Sequence, residues 1–396
     1  MVGIAERETY LSVLRNREFA ALLASQTLSI AGDHLARIAV AILVYDRTGS
    51  AFSASATYAL SYLTYLLGGP WLSALSDRLP RVSVMVVCDV LRAPIVLGLC
   101  LTDIPLWLVF LLLGLVGALA PPFDSARSAI QPDLLSGDAY VRGNAMMQLV
   151  FQGAQVLGFA VGGALVASLG VRPTLALDAA SFLVSAGLLL ALLRPRSAAQ
   201  QPEDRASVFS DTSAGVRLLR QQPTMRRLLL YALLGSAAVI APEGLAVPVA
   251  AALGGGAREA GLLTASIPLG FLVGSVLVLR VEPDRRPPLL PSLALLGCVP
   301  LLATPLTQSL ALTCLLWVIA GAGGAVNLIA SSAYIQACPR EFRSRAYGLA
   351  ITALYAVQGG ILLVAGWLAG PLGARESVAL VALCTLTCVA FANKSP

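Results

Sequence analysis

Nearly the whole of this 396-residue chain is taken up by long apolar runs separated by short polar breaks. Twelve runs stand out, at roughly 18–46, 51–77, 82–101, 105–126, 143–170, 173–193, 226–251, 258–280, 288–307, 309–335, 345–371 and 375–393. Each approaches or exceeds the ~20 residues an α-helix needs to cross the hydrocarbon core of a bilayer. Lipid offers no water to backbone N–H and C=O groups, so each run must satisfy them internally, as a helix. A membrane barrel would need strands of alternating polarity, and no alternation is visible. The expected fold is an all-α membrane protein of twelve transmembrane helices. Composition agrees: 57% of residues are hydrophobic and 12% charged, against about 25% charged in soluble domains.

The basic residues orient the spans. With the N-terminus inside, only Arg47, Arg172, Arg258 and Arg375 fall in outside segments, and Arg37 and Arg92 lie within spans. All others of the 27 Lys and Arg sit on the inside, the bias that the positive-inside rule describes. A missed or extra span in the middle would invert half of this pattern. The reading therefore places both termini in the cytoplasm. Lys394 is the single lysine, and an Arg-rich, Lys-poor chain points by composition to a GC-rich bacterial source and to the bacterial cytoplasmic membrane. The polar start Met1–Arg17 runs straight into a long span, so it is expected to be retained and not cleaved.

One long polar stretch interrupts the apolar runs. It divides the chain into an N-terminal six-helix half (1–193), a cytoplasmic linker (194–225), with an amphipathic turn near Val216–Leu219, and a C-terminal six-helix half (226–396). The halves repeat each other. Ser128-Ala129-Ile130-Gln131-Pro132, then Gln152-Gly153, then Ser168-Leu169-Gly170 is answered by Ala333-Tyr334-Ile335-Gln336, Pro339, Gln358-Gly359-Gly360 and Pro371-Leu372-Gly373. Repeats at half-chain period place a binding site at the midplane, between two bundles that rock.

Several function classes are disfavoured. The net charge of +6 is spread beside the spans and forms no patch for nucleic acid. The seven cysteines are scattered without a Cys-x-x-Cys, and a single histidine leaves no zinc pattern. No nucleotide-binding loop, metal cluster or nucleophile–base pair is evident, so neither enzyme nor cofactor chemistry is expected.

Charged residues inside spans are the candidates for function, because each is costly there and must face the interior with a partner. Asp33, His34 and Arg37 lie in the first span, Asp33 being about 22 Å along it at ~1.5 Å per residue. Asp33 and Arg37, four apart, share a face and can pair. Two readings are open: a protonatable carboxylate coupled to substrate binding, or a buried ion pair fixing the first helix. Glu243, within Pro242-Glu243-Gly244 of the seventh span, lies at nearly the depth of Asp33 in the repeat partner of span one. It is expected at a local helix break, either facing Asp33 across the pseudo-twofold or hydrated at the outer mouth. Asp89 and Arg92 read as a structural ion pair near the inner surface. Gln152, Gln155, Asn327 and Gln358 are polar groups that could line a cavity. Tyr62, with Tyr58, Tyr65, Tyr231 and Tyr355, could stack on a bulky ligand.

The loop after the second span reads Ser73-Ala74-Leu75-Ser76-Asp77-Arg78-Leu79-Pro80-Arg81. It resembles the signature of the major facilitator superfamily, with Ser73 and Pro80 where that family prefers glycine. Further matches resemble the macrolide-efflux and enterobactin-exporter branch: Gly32-Asp33, Tyr45-Asp46-Arg47-Thr48-Gly49-Ser50, Asp89-Val90-Leu91-Arg92-Ala93, Ala126-Arg127-Ser128-Ala129 and Pro339-Arg340-Glu341-Phe342-Arg343-Ser344-Arg345. The resemblance implies alternating access by a functional monomer. It implies a gating role for Asp77, Arg78 and Arg81, with Arg127, Arg343 and Arg345 as partners: a carboxylate at the start of helix eleven is favoured by the helix N-terminus and by nearby guanidinium groups. Gly158-Phe159-Ala160-Val161-Gly162-Gly163 resembles the antiporter motif, with Phe159 in the place of proline. Gly158, Gly162 and Gly163 would then let helices five and eight touch and seal the outer gate. The function implied is export of a lipophilic or amphipathic small molecule (a drug, macrolide or secreted metabolite), driven by the proton gradient with no cofactor. A facilitator or importer of a small polar solute is the alternative.

Overall fold

The computed structural model describes residues 10–76, 79–194, 196, 219, 221–339 and 343–394. After a short helix at Tyr10–Leu14 come α1 (Arg17–Thr48), α2 (Ala51–Ser76), α3 (Arg81–Gly98), α4 (Leu106–Leu134), α5 (Gly137–Leu169) and α6 (Val171–Leu192). Then follow α7 (Pro223–Ala252), α8 (Ala257–Leu279), α9 (Pro283–Leu306), α10 (Leu310–Ala337), α11 (Arg343–Leu372) and α12 (Ala374–Lys394). Among the described residues ten helices are long and apolar enough to cross a membrane. The helices α2 and α3 occupy the places of the expected second and third spans; α3 carries Arg81, Asp89 and Arg92 within 18 residues. Asp77, Arg78, the turn expected near Val216–Leu219 and nearly all of the polar stretch before α7 lie outside the described residues, Leu219 excepted.

Local chemistry sets the ends and breaks. The Asn16 side chain accepts from the N–H groups of Glu18 and Phe19 at the start of α1, satisfying donors that a helix N-terminus leaves open. Its Nδ2 donates to Leu134 O at 2.8 Å, which ties α1 to the end of α4. Gly49, at φ 62°, closes the other end of α1 in the left-handed conformation. Both α4 and α10 break midway, α4 at Leu119 ahead of Pro121 and Pro122 and α10 at Gly324. The break expected around Glu243 is not found. The α7 helix runs on through Pro242 and Pro248 without interruption, buried over nearly all of Gly235–Ala250.

The packing repeats at six helices. In the first six, α1 lies against α5 and α6, and α3 against α6; in the last six, α7 lies against α11 and α12, and α9 against α12. The two sets meet through α5 on α8 and α2 on α11, with α7 also against α2. These meetings are tightest toward the face away from the chain ends. There a Cβ on Gly163 would come within 2.6 Å of Ala257 O and Gly261 Cα, Ser55 Oγ donates to Leu362 O at 2.7 Å, and a Cβ on Gly366 would press on Ser55 and Phe52. Toward the face that carries the chain ends, Gly153 of α5 and Gly348 of α11 have open space beside them.

Two arginines staple turns at the face away from the chain ends. Arg47, ending α1, donates to Ile104 O in the α3–α4 turn at 3.0 Å. Arg375, opening α12, donates to the carbonyls of Thr304, Pro305 and Thr307 and to Gln308 Oε1 in the α9–α10 turn.

Candidate functional site

A small cavity of about 50 Å³ lies inside the first six helices, lined by Asp33, Arg37, Ser61, Tyr65, Arg92 and Asp178 among others. Glycine makes it possible: a Cβ on Gly32 would collide with the Asp178 carboxylate and the Ser181 hydroxyl. The surrounding charges form a chain of partners. Arg92 sits 3.7 Å from Asp89, and Asp89 accepts from Ser185 Oγ at 2.6 Å. The Arg92 guanidinium also lies over the rings of Phe123 and Phe182, at 5.3 and 5.4 Å, a contact that favours a cation away from water. Tyr65 donates to Asp124 at 2.5 Å, Asp124 pairs with Arg127 at 3.3 Å, and Arg127 donates to Gln26 Oε1 at 3.0 Å. Asp178 is 1% exposed, and its Oδ2 has no hydrogen-bond partner.

The sequence candidates are brought together, with different pairings. No ion pair within 4 Å joins Asp33 to Arg37 among the described residues. They share a face of α1, and the Arg37 guanidinium lies within electrostatic reach of Tyr62, Asp33 and Glu243. Glu243 is buried, 7% exposed, with Oε1 unpartnered, so it does not sit in a hydrated mouth. His34 is buried against Phe159, ring to ring at 4.7 Å, and Phe151 at 6.3 Å, and its Nδ1 has no partner. Tyr62 and Tyr65 meet Tyr355 of α11 at 6.0 and 5.1 Å, joining the two sets of helices at mid-depth. Asn327 donates to Ser236 Oγ at 3.2 Å, leaving its Oδ1 unpaired. Gln152, Gln155 and Gln358 are half-buried.

The glycine stripe divides. Only Gly163 meets α8. Gly158 and Gly162 pack on α1, where a Cβ would lie 2.7 Å from Ala31 O and from Ile38 Cγ2. At ~3.6 residues per turn, positions four apart share one face and the next residue turns by about 100°, so one run of glycines serves two neighbours.

The family model of the Major Facilitator Superfamily matches residues 22–281. The chain belongs to this superfamily. Enterobactin exporter EntS of Shigella boydii is 28% identical over 297 residues, 72% of this chain and 69% of that one. The MFS-type transporter YfiS of Bacillus subtilis is 26% identical over 216 residues, 53% of this chain and 51% of the relative, so the match spans about half of that protein. A bacterial homolog of the human lysosomal transporter Spinster, solved inward-facing and occupied, superposes with TM-score 0.76 at 16% identity, covering 96% of both chains; at that identity the likeness is one of fold. The chain is thus a multi-pass membrane protein of this superfamily, similar to EntS over part of its length.

At the face of the chain ends, the superfamily signature is described only at its end. Arg81 pairs with Asp133 at 2.5 Å and donates to Ala129 O at 2.7 Å, bracing α3 against α4. Arg127 is held by Asp124 and Gln26, and Arg343 and Arg345 stand in the first turn of α11. Asp124 and Asp178 are absent from the candidates drawn from sequence. Each is an ionisable residue in a span, and that alone marks a residue for attention.

Proposed function

We propose that this transporter is a proton-driven exporter of a lipophilic or amphipathic small molecule, working by alternating access across the bacterial cytoplasmic membrane with both termini inside. The observation that carries the reading is the grouping of Asp33, Arg37 and Glu243: Asp33 and Arg37 line the cavity inside the first six helices, and Glu243, buried on α7 with Oε1 unpartnered, lies within electrostatic reach of Arg37. Protonating either acid releases Arg37 toward the other and alters the attraction between the halves. A proton can thereby bias the equilibrium between inward-open and outward-open states, provided the two states bind it unequally. The halves, 1–193 and 226–396, would rock as units about the α5–α8 and α2–α11 contacts. The name of the EntS relative supports export, and Tyr62, Tyr65 and Tyr355 supply aromatic surface at mid-depth.

The test is retention of dyes and macrolides in an efflux-deficient bacterial host, at equal expression of wild type, Asp33→Asn and Glu243→Gln, with and without a protonophore. Wild type is expected to lower retention, the protonophore to abolish this, and at least one substitution to do the same. Export that persists in both variants and under the protonophore would sink the coupling. A second reading, a facilitator or importer of a small polar solute, is favoured by the polar lining of the first-half cavity, where two acids and two guanidinium groups converge. Uptake of a labelled polar nutrient that survives loss of the proton gradient would select it.

A further inference from the structure

The charges grouped about the cavity do not balance. Asp33, Asp89, Asp178 and Glu243 are four carboxylates, and the guanidinium groups among them are those of Arg37 and Arg92. Asp124 and Arg127 pair with each other. Arg92 is engaged by Asp89, and Arg37 is shared between Asp33 and Glu243. That leaves Asp178 without a base of its own. It lines the same cavity as Asp33, has a bare Oδ2 and is almost wholly buried. The charged groups acting on Asp178 are Asp33, Arg92 and Asp89, with Asp33 foremost, and Ser181 Oγ lies 3.5 Å from its Oδ1. Those acting on Asp33 are Arg92, Arg37 and Asp124. His34 on α1, Tyr58, Tyr62 and Tyr65 on α2, Cys88 on α3, Arg127 on α4, Glu243 on α7 and Tyr355 on α11 are the other titratable and charged groups about it among the described residues. Two carboxylates in one water-poor cavity repel, and a single proton between them removes the repulsion while leaving one charge for Arg92. The approach is built in, because Gly32 clears the path of Asp178 toward α1.

We propose that Asp33 and Asp178 share one proton and together form the chain's proton-uptake site, enclosed within the first six helices. Glu243, across from Arg37, then acts as the sensor of that proton and not as its carrier. When the pair is protonated, Arg37 turns its charge toward Glu243; when the proton leaves, Arg37 is drawn back to Asp33. This deepens the exporter reading, from which it takes only the use of a proton.

The experiment needs no transport substrate. The full chain, labelled with carbon-13 aspartate so that its acids separate from the glutamates, is reconstituted in lipid and its infrared carboxylic-acid C=O band followed with pH. Wild type is expected to hold an aspartic acid band at neutral pH. Asp33→Asn and Asp178→Asn are each expected to lose it, because the remaining carboxylate ionises beside Arg92. Coupled acids lose protons in two macroscopic steps, so each variant should titrate in one step fewer. Asp178→Glu keeps the acid and should keep an acid band, divided between the labelled Asp33 and the unlabelled glutamate and at a displaced midpoint. A wild type without the band, a band intact in either Asn variant, or no acid band in Asp178→Glu would overturn the proposal. Proton-driven export with an unaltered band would sink this pair alone; the expected bands without any export would sink the exporter reading alone.

Discussion

The helix pairs α2–α4 and α8–α10 hold corresponding places in the two six-helix sets, and they are joined by different chemistry. In α8–α10 backbone lies on backbone: a Cβ on Gly270 would overlap Val318 O, one on Gly274 would overlap Ala322 O, and one on Gly321 would overlap Ile267 O. In α2–α4 side chains intervene. Gly114 has only Leu60 nearby, Gly117 faces Thr64, and Tyr65 bonds Asp124. The same contrast runs through the charges. Among the described residues the first set gathers Asp33, Arg37, Asp89, Arg92 and Asp178, with Asp124 and Arg127 beside them, whereas the second carries Glu243 and the neutral pair Ser236–Asn327, and its buried Arg375 serves a turn. One architecture serves two materials: the first set is held by charge and the second by shape. Duplication thus fixes the fold without fixing the division of labour.

The contrast is broken most forcefully at Arg92. Arg92→Leu leaves Asp89 and its neighbours buried without a base, a change that costs ~3–5 kcal/mol. We expect a large drop in thermal stability in detergent; a drop no greater than that of a surface change would mean that charge does not hold the first set. Next comes Gly321→Ala, which drives a methyl into Ile267 O and should cost about 1–3 kcal/mol by overpacking. Gly114→Ala, at the more open crossing, should be neutral or favourable by up to ~1 kcal/mol. Equal melting shifts for these two would erase the difference between the pairs. Ser236→Ala removes one neutral interhelical hydrogen bond, and such bonds average ~0.6 kcal/mol in a membrane protein. A loss rivalling that of Arg92→Leu would show the second set to be as polar-dependent as the first. Smallest of all, Glu282→Gln breaks the exposed 3.1 Å pair with Arg285 and should shift the melting midpoint by the equivalent of under ~0.5 kcal/mol.

The spans are legible in the sequence because lipid admits so few backbone solutions. Their ends are less so. The α4 and α5 helices run on to Leu134 and back to Gly137 at the face of the chain ends, where polar residues continue a helix that apolarity no longer marks. In the site, Asp33, Arg37 and Glu243 announce themselves as charges in apolar runs. Their partners do not, because helical spacing gives the face of Arg37 but not the tyrosine and glutamate on other helices within whose electrostatic reach it lies. Gly158, Gly162 and Gly163 read as one motif and serve two interfaces, since the phase of a helix against its neighbours is a tertiary fact. Asp124 and Asp178 carry the same signal as Asp33, and the pull of recognisable motifs hid them.

Arg375 carries a consequence for the order in which the chain is put together. Its guanidinium, 8% of the residue being exposed, is clasped by three carbonyls and a glutamine of the turn at Thr304–Gln308. Until that turn has formed, the first residues of α12 present a bare cation with nothing to receive it. Docking of the last helix is therefore conditional on a finished corner about 70 residues upstream, and a chain stalled before that corner closes would leave α12 unmoored, however apolar its remaining turns.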